Sequence, residues 1–391
     1  MKHALTAGAC ATLLLAASGC SLTESNDPQS SGSSDGPGTI TVDSTADACD
    51  LTTTKAPSGN LVFDVKNSGD QVTEFYFYAE DGLRIVGEIE NVGPGLSRDL
   101  VVRAAPGTYV ASCRPGMTGK GIRSEFTVTD SGEDTEITGV EQADIDAATT
   151  QYAAYVKDQS SQLVDETTAF VEAYAAGEDD RARELYPQAR TYWERIETVA
   201  ESFGDLDPKM DLREADLTPG QEWTGWHRIE KDLWPPASGY TKLSKADRAK
   251  YGEDLLENTT TLDERVQDLD YTVDQIGNGS KGLLDEVASG KITGEEDIWS
   301  HTDLYDFQAN VDGARVAYEG LQPLLDVKDP ALSQKIQAAF RDLQSSLDQY
   351  REGKDDFVSY DTVTEPQRKE LSDKVNALAE PLSKLTGAIT L

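Results

Sequence analysis

The stretch Ser124-Glu125-Phe126-Thr127-Val128-Thr129-Asp130-Ser131-Gly132-Glu133-Asp134 divides the chain into two parts of different hydrophobic period. Up to Thr129, β-branched and aromatic residues alternate with polar ones, the two-residue repeat of a strand. Asp130 to Asp134 is a cluster of turn formers. Beyond it Ile145, Tyr152, Val156, Leu163, Phe170 and Tyr174 recur at helical steps as far as Gly177. The joint therefore separates an all-β segment from an all-α one.

Working leftward, Thr39–Val42, Leu61–Val65, Thr73–Tyr78, Thr108–Ser112 and Ser124–Val128 read as short strands. Gly, Pro, Asn and Asp punctuate them at 56–59, 67–70, 93–95 and 105–107. About seven strands within residues 39–130 predict a small β-sandwich. Working rightward, residues 140–391 predict a helical bundle. Helices are expected over about 145–177, 180–202, 245–276, 280–289, 302–321, 331–350 and 365–386. Thr218-Pro219-Gly220-Gln221 reads as the start of another, with Thr as N-cap, Pro at the first helical position and Gln at the third. Pro235-Pro236 ends it.

At the N-terminus, Met1-Lys2-His3 and the apolar run Ala7–Ala17 form a signal segment too short to span a bilayer. Ala17-Ser18-Gly19-Cys20 follows, which is similar to a bacterial lipobox with Ala17 in place of the commoner leucine. Cys20 is then the expected lipidation site, and residues 21–38 a flexible tether. The expected location is extracytoplasmic, lipid-anchored to the outer face of the bacterial cell membrane. Cys10 leaves with the signal segment and Cys20 carries the lipid, so Cys49 and Cys113 remain in an oxidising compartment, where a disulfide is the default. With 71 acidic against 35 basic residues and a net charge of −36, the chain repels nucleic acid and attracts cations.

Histidine is scarce: His3, His227 and His301. In Gly225-Trp226-His227-Arg228-Ile229-Glu230, the i, i+3 spacing puts His227 and Glu230 on one helical face, a metal-ligand spacing. An ordinary buried ion pair is the alternative. Trp223, His227, Glu230 and Trp234 fall at i, i+4, i+7 and i+11, so the two tryptophans are expected to wall the pair in. Asp303, Asp306 and Asn310 share a face of a later helix, although Ser300-x-x-Asp303 also reads as a capping box. Glu194, Glu197, Asp205 and Asp207 form a third acidic cluster. There is no His-Glu-x-x-His, no Gly-x-Ser-x-Gly and no Cys-His pair in the helical part, so nothing points to a peptidase.

Together, Glu194-Arg195-Ile196-Glu197, Asp205-Leu206-Asp207, Gly225–Glu230, Ser300–Asn310 and Asn376-Ala377-Leu378-Ala379-Glu380 resemble the imelysin-like domain of the EfeO family. These are extracytoplasmic components of EfeUOB iron-uptake systems. The resemblance implies a cupredoxin-like sandwich followed by an imelysin-like helical bundle. It implies a metal site of His227, Glu230, Asp303 and Glu380, and it implies iron as cargo with zinc as an alternative. An EfeU-type iron permease and an EfeB-type haem peroxidase are the implied partners, with the membrane reached through the lipid anchor. Residues 21–140 contain no histidine, which excludes a blue-copper centre. For the β-domain the family suggests copper or iron held by Cys49, Glu74, Glu88, Glu90 and Cys113; a Cys49–Cys113 disulfide is the competing reading. The family was once labelled a metallopeptidase, and a metal-dependent hydrolase is the alternative function.

Overall fold

The computed structural model describes residues 39–117, 119–132, 137–354 and 356–391. The expected signal segment, the Cys20 lipidation site and the 21–38 tether lie outside them. Nine strands come first: β1 (Thr39–Ser44), β2 (Cys49–Leu51), β3 (Lys55–Pro57), β4 (Gly59–Asn67), β5 (Thr73–Tyr78), β6 (Ile85–Val92), β7 (Ser97–Ala104), β8 (Gly107–Cys113) and β9 (Ile122–Thr129). They form a four-stranded sheet in the order β2-β1-β4-β7 and a five-stranded sheet in the order β3-β9-β8-β5-β6. β1 and β4 run parallel, as do β3 and β9; the other pairs are antiparallel.

Inward-facing residues fill the space between the sheets. The Phe63 ring lies 5.0–5.7 Å from those of Phe75, Phe77 and Phe126. β4 keeps strict alternation of buried and more exposed positions, whereas every residue of β5 is buried. Both faces of β5 are therefore covered, and the two-residue pattern is lost. A disulfide joins Cys49 of β2 to Cys113 at the end of β8, 64 residues on, and so ties one sheet to the other. Closing so long a loop stabilises the fold by about 2–4 kcal/mol. It also corrects the reading of Cys49 and Cys113 as metal ligands, because neither sulfur is a thiolate once bonded to the other.

The helical part comprises α1 (Gln142–Ala176), α2 (Asp179–Glu194), α3 (Glu197–Glu201), α4 (Asp207–Met210), α5 (Gly225–Leu233), α6 (Lys245–Gln267), α7 (Val273–Ser289), α8 (Asp303–Lys328), α9 (Pro330–Leu347), α10 (Glu365–Leu382) and α11 (Leu385–Thr390). α1 packs on α2, α6 and α8, and α7 packs on α8 and on strand β6. Backbone-directed hydrogen bonds join the β and α parts: Asn60 to the Thr390 carbonyl (2.8 Å), Asn278 to the Val101 carbonyl (2.9 Å), and the Arg103 N–H to Asp274 (2.8 Å). Among the described residues no helix is long and apolar enough to cross a membrane.

The expected helices differ from those observed most clearly in three places. The 180–202 helix breaks at Arg195–Ile196, where the chain passes so close to α8 that a Cβ at Gly313 would lie 2.3 Å from the Arg195 carbonyl oxygen. The 245–276 segment divides at 268–272, where Thr272 and Gln275 form a capping box that starts α7. Thr218 and Gln221 do not open a helix. Gln221 Oε1 accepts bonds from the Thr218 N–H and hydroxyl in an isolated turn, and α5 begins only after Thr224.

Candidate metal centre

The helix that carries His227 is placed by a glycine. Gly225 opens α5 at φ +83°, a left-handed conformation that favours glycine, and a Cβ there would lie 2.1 Å from the Met210 carbonyl oxygen. α5 can therefore start hard against the end of α4, bringing His227 beside Asp211, the residue after Met210. Trp226, Ile229 and Leu233 anchor the helix in the core, and His227 and Glu230 are buried with them.

Both imidazole nitrogens face carboxylates. Nδ1 is 3.1 Å from Glu230 Oε2 and 3.9 Å from Asp297 Oδ1. Nε2 is 3.2 Å from Glu296 Oε1 and 3.3 Å from Asp211 Oδ1. Glu230 is further held at Oε1 by the Trp299 N–H (2.9 Å), the Ser300 N–H (2.7 Å) and the Ser300 hydroxyl (2.9 Å). Ser300 thus serves Glu230 rather than capping α8. Asp297 accepts from the Tyr186 hydroxyl (3.0 Å) and from Thr302, and Asp211 accepts from Trp193 Nε1 (2.8 Å).

Deeper in the pocket the buried Arg190 guanidinium reaches Asp211 and Glu194, with Asp306 at 3.1 Å and Glu296 at 3.4 Å. The Lys291 ammonium lies 3.1 Å from Glu194 and 2.9 Å from Glu197. Eight carboxylates (Glu194, Glu197, Asp211, Glu230, Glu296, Asp297, Asp303 and Asp306) therefore share a pocket with Arg190, Lys291 and His227, and the partly exposed Arg213 reaches Glu296 at 3.6 Å. Carboxylates this well shielded from water need positive charge or protons.

Titration is shared unequally. Burial raises Asp211 and Glu296, but the neighbouring cations win: Arg190 and His227 hold Asp211, and Lys291 and His227 hold Glu296, below the usual carboxylate range. Burial followed by repulsion from Asp297 pushes Glu230 and Asp303 up. Asp306 is raised by burial in spite of Arg190. Burial and Arg190 push the His227 imidazole down, yet its bonds to Asp211, Glu230 and Glu296 outweigh them and leave it well above the ordinary value. Asp303 Oδ2, Asp306 Oδ1 and Asn310 Oδ1 are buried with no hydrogen-bond partner. An anionic pocket with orphaned oxygens fits a hard or borderline cation. Ligand atoms of Asp211, His227 and Glu296 lie within 4.8 Å of one another, as do those of His227, Glu230 and Asp297.

Of the residues expected from the sequence, the structure brings together His227, Glu230 and Asp303. Asp303 opens α8, and its Oδ1 accepts from the Asp297 N–H (3.2 Å). Glu380 is corrected: it is exposed on α10 and pairs with Lys384 at 3.0 Å, outside the buried pocket. His301 turns its backbone to the site, its N–H donating to the Asp297 carbonyl at 2.7 Å. Trp223 precedes α5 and stacks over Arg228 and Lys231, so it does not wall His227. In the β part, Glu74 pairs with Arg114 (3.1 Å), and the Tyr76 hydroxyl donates to Glu74 and Glu90, each at 3.1 Å. Glu88 stands with Glu90 on β6, against α7. Sequence reasoning missed Arg190, Asp211, Lys291, Glu296 and Asp297; the acidic run Glu295-Glu296-Asp297 just before Ser300–Asn310 was the one available signal.

Comparison with known proteins gives the family. The imelysin family (Peptidase M75) matches residues 148–385. An Efem/EfeO family lipoprotein of Staphylococcus haemolyticus is 45% identical over 250 residues, covering 63% of this chain and 85% of that one. The iron uptake system component EfeO of Escherichia coli K12 is 35% identical over 349 residues, covering 88% of this chain and 89% of that one. A solved chain from Parabacteroides distasonis, described as an iron-regulated protein A precursor, matches with 16% identity and a TM-score of 0.46, over 63% of this chain and 95% of that one. The chain belongs to the imelysin family, in its EfeO group.

Proposed function

We propose that this protein is an extracytoplasmic, lipid-anchored iron-binding component of an iron-uptake system, which takes iron at His227 and passes it to a membrane permease. One observation carries the reading. His227 Nε2 faces two carboxylates, Asp211 and Glu296, that stay ionised inside a buried pocket. A cation entering there replaces a proton on Nε2, while Nδ1–H keeps its bond to Glu230. Glu230 then acts as the carboxylate that fixes the ring, rather than as a first ligand. One imidazole among hard oxygens suits iron, with zinc as the competitor.

The names of the relatives support iron as cargo, and the lipoprotein relative supports Cys20 as the anchor. An EfeU-type permease and an EfeB-type haem peroxidase are the proposed partners, and a cupredoxin-like origin is proposed for the sandwich. Binding without turnover fits the geometry better than the hydrolysis suggested by the name Peptidase M75. Glu230, the carboxylate nearest in sequence to the histidine, has both oxygens engaged and is poorly placed as a general base. Anaerobic Fe²⁺ titration of wild type, His227→Ala and Glu230→Ala is the test. The equivalent of iron held at His227 should be lost in the first and weakened in the second; unchanged stoichiometry and affinity in both would overturn the reading.

A further inference from the structure

We infer that the pocket holds a second cation position, formed by Glu194, Glu197 and Asp211 with the Asn310 carbonyl oxygen, and that Asp211 bridges it to the His227 position. The inference rests on the reading of the His227 pocket as an iron site. Ligand oxygens of the three carboxylates lie within 4.8 Å of one another, on α2, α3 and the residue after α4. Asp211 belongs both to this group and to the one with His227 and Glu296.

Two further observations point to a ligand. Asn310 is fully buried, and its Nδ2 donates to the Glu194 backbone carbonyl (2.7 Å) and to Glu197 Oε2 (2.9 Å), with Glu194 Oε2 at 3.2 Å, which sets the amide beside both carboxylates. Its Oδ1, on the same amide, has no partner. Secondly, cations already stand there: the Arg190 guanidinium holds Glu194 Oε1 and Asp211 Oδ1, and an ammonium holds the remaining oxygens of Glu194 and Glu197. Lys291 Nζ lies 2.9–3.1 Å from oxygens of Glu194 and Glu197. The ammonium ends a flexible four-carbon stem, so a divalent ion can take its place and use the orphaned Asn310 oxygen, which an ammonium beside the same carboxylates leaves unused.

The chemistry differs between the two positions. The His227 position includes a nitrogen ligand, whereas the second is all oxygen. It therefore suits harder ions such as Fe²⁺, Mn²⁺ or Ca²⁺ and disfavours softer competitors.

The test is anaerobic dialysis of the full chain against Fe²⁺, with bound metal counted by mass spectrometry. Wild type should hold two equivalents, Glu197→Gln one, and His227→Ala one. A single equivalent in wild type that survives Glu197→Gln overturns the second position and leaves the His227 reading standing. Two equivalents retained in Glu197→Gln also overturn it, because the second ion then lies elsewhere. No bound iron in wild type overturns both. Should Glu197→Gln fail to fold, anomalous scattering from wild-type crystals soaked in Mn²⁺ decides. A peak at ligand distance from Glu194 and Glu197 supports the position, and a peak at His227 alone overturns it.

Discussion

At the scale of single residues, two cationic side chains decide how the pocket behaves without metal. His227 is held protonated by Asp211, Glu230 and Glu296, so a metal must displace a proton to reach its nitrogen. The sign follows directly: lowering the pH favours the proton, raising it favours the metal. Iron affinity should rise about tenfold per pH unit for each proton released, up to the pH at which His227 deprotonates unaided. Calorimetry in buffers of different ionisation enthalpy measures that release, and a proton count of zero would contradict the arrangement. Arg190 has the opposite relation to metal. It is fully buried and neutralises Asp211, Glu194 and Asp306. Arg190→Met keeps much of the volume but leaves those carboxylates without their counter-ion, a loss of about 3–5 kcal/mol. Urea unfolding should show it, and added Fe²⁺ should restore more stability to this variant than to wild type, because the ion replaces the missing charge. Equal metal-free stability of the two proteins would mean that protonation compensates fully.

At the scale of elements, the pocket depends on where α5 begins. Gly225→Ala places a methyl group 2.1 Å from the Met210 carbonyl, so α5 must move away from Asp211. Gly220 has φ +89° but nothing within 4 Å of its Cβ position, and therefore supplies the control. Both alanine variants carry the left-handed strain of about 1–2 kcal/mol. Only Gly225→Ala should also weaken iron binding, by tenfold or more in the same titration; equal effects of the two would show that backbone strain alone is responsible. This dependence also explains what the sequence could convey. His227 and Glu230 were legible because one helical turn puts them together, and the change of period at residue 130 was legible because alternation and helical steps are local properties. Asp211, Glu296 and Asp297 were not, because they sit on irregular segments that only the packing of α2, α5 and α8 brings to one point. Arg190 was invisible for a related reason: a charged residue in a helix reads as solvated until a neighbouring element buries it. Glu380 shows the converse error, since a short stretch of likeness carried a residue into the site that α10 leaves on the surface. Likewise, Thr218-Pro219-Gly220-Gln221 has the composition of a helix start, but the close approach at Gly225 fixes the start elsewhere.

At the scale of the whole molecule, the sandwich and the helices meet across half-buried acids. Glu88 and Glu90 project from β6 towards α7, which carries Lys281, Asp285 and Glu286. On the β side, Glu74, Tyr76 and Arg114 adjoin them. Burial is the main cause that pushes Glu88 up to about 8, with repulsion from Glu286 and Glu74 adding to it and Lys281 opposing. Glu90 and Glu286 are raised in the same direction, burial again first. In the unfolded chain these groups titrate near 4.5, so the folded form binds more protons throughout the interval between the two values. The stabilisation is complete below about pH 4.5 and is lost as the pH rises through about 8. Glu88→Gln places a neutral amide where the folded protein prefers a neutral acid, and removes that group's share of the pH dependence. The urea midpoint of wild type should therefore fall between pH 5.5 and 8.5 by more than that of Glu88→Gln, and the variant should be the more stable of the two at pH 8.5. Metal-free protein is the sample to use, because a bound cation would stabilise the folded form in its own pH-dependent way. Parallel pH profiles for the two proteins would show that Glu88 is ionised at the junction in the folded state and that Lys281, rather than a proton, neutralises it.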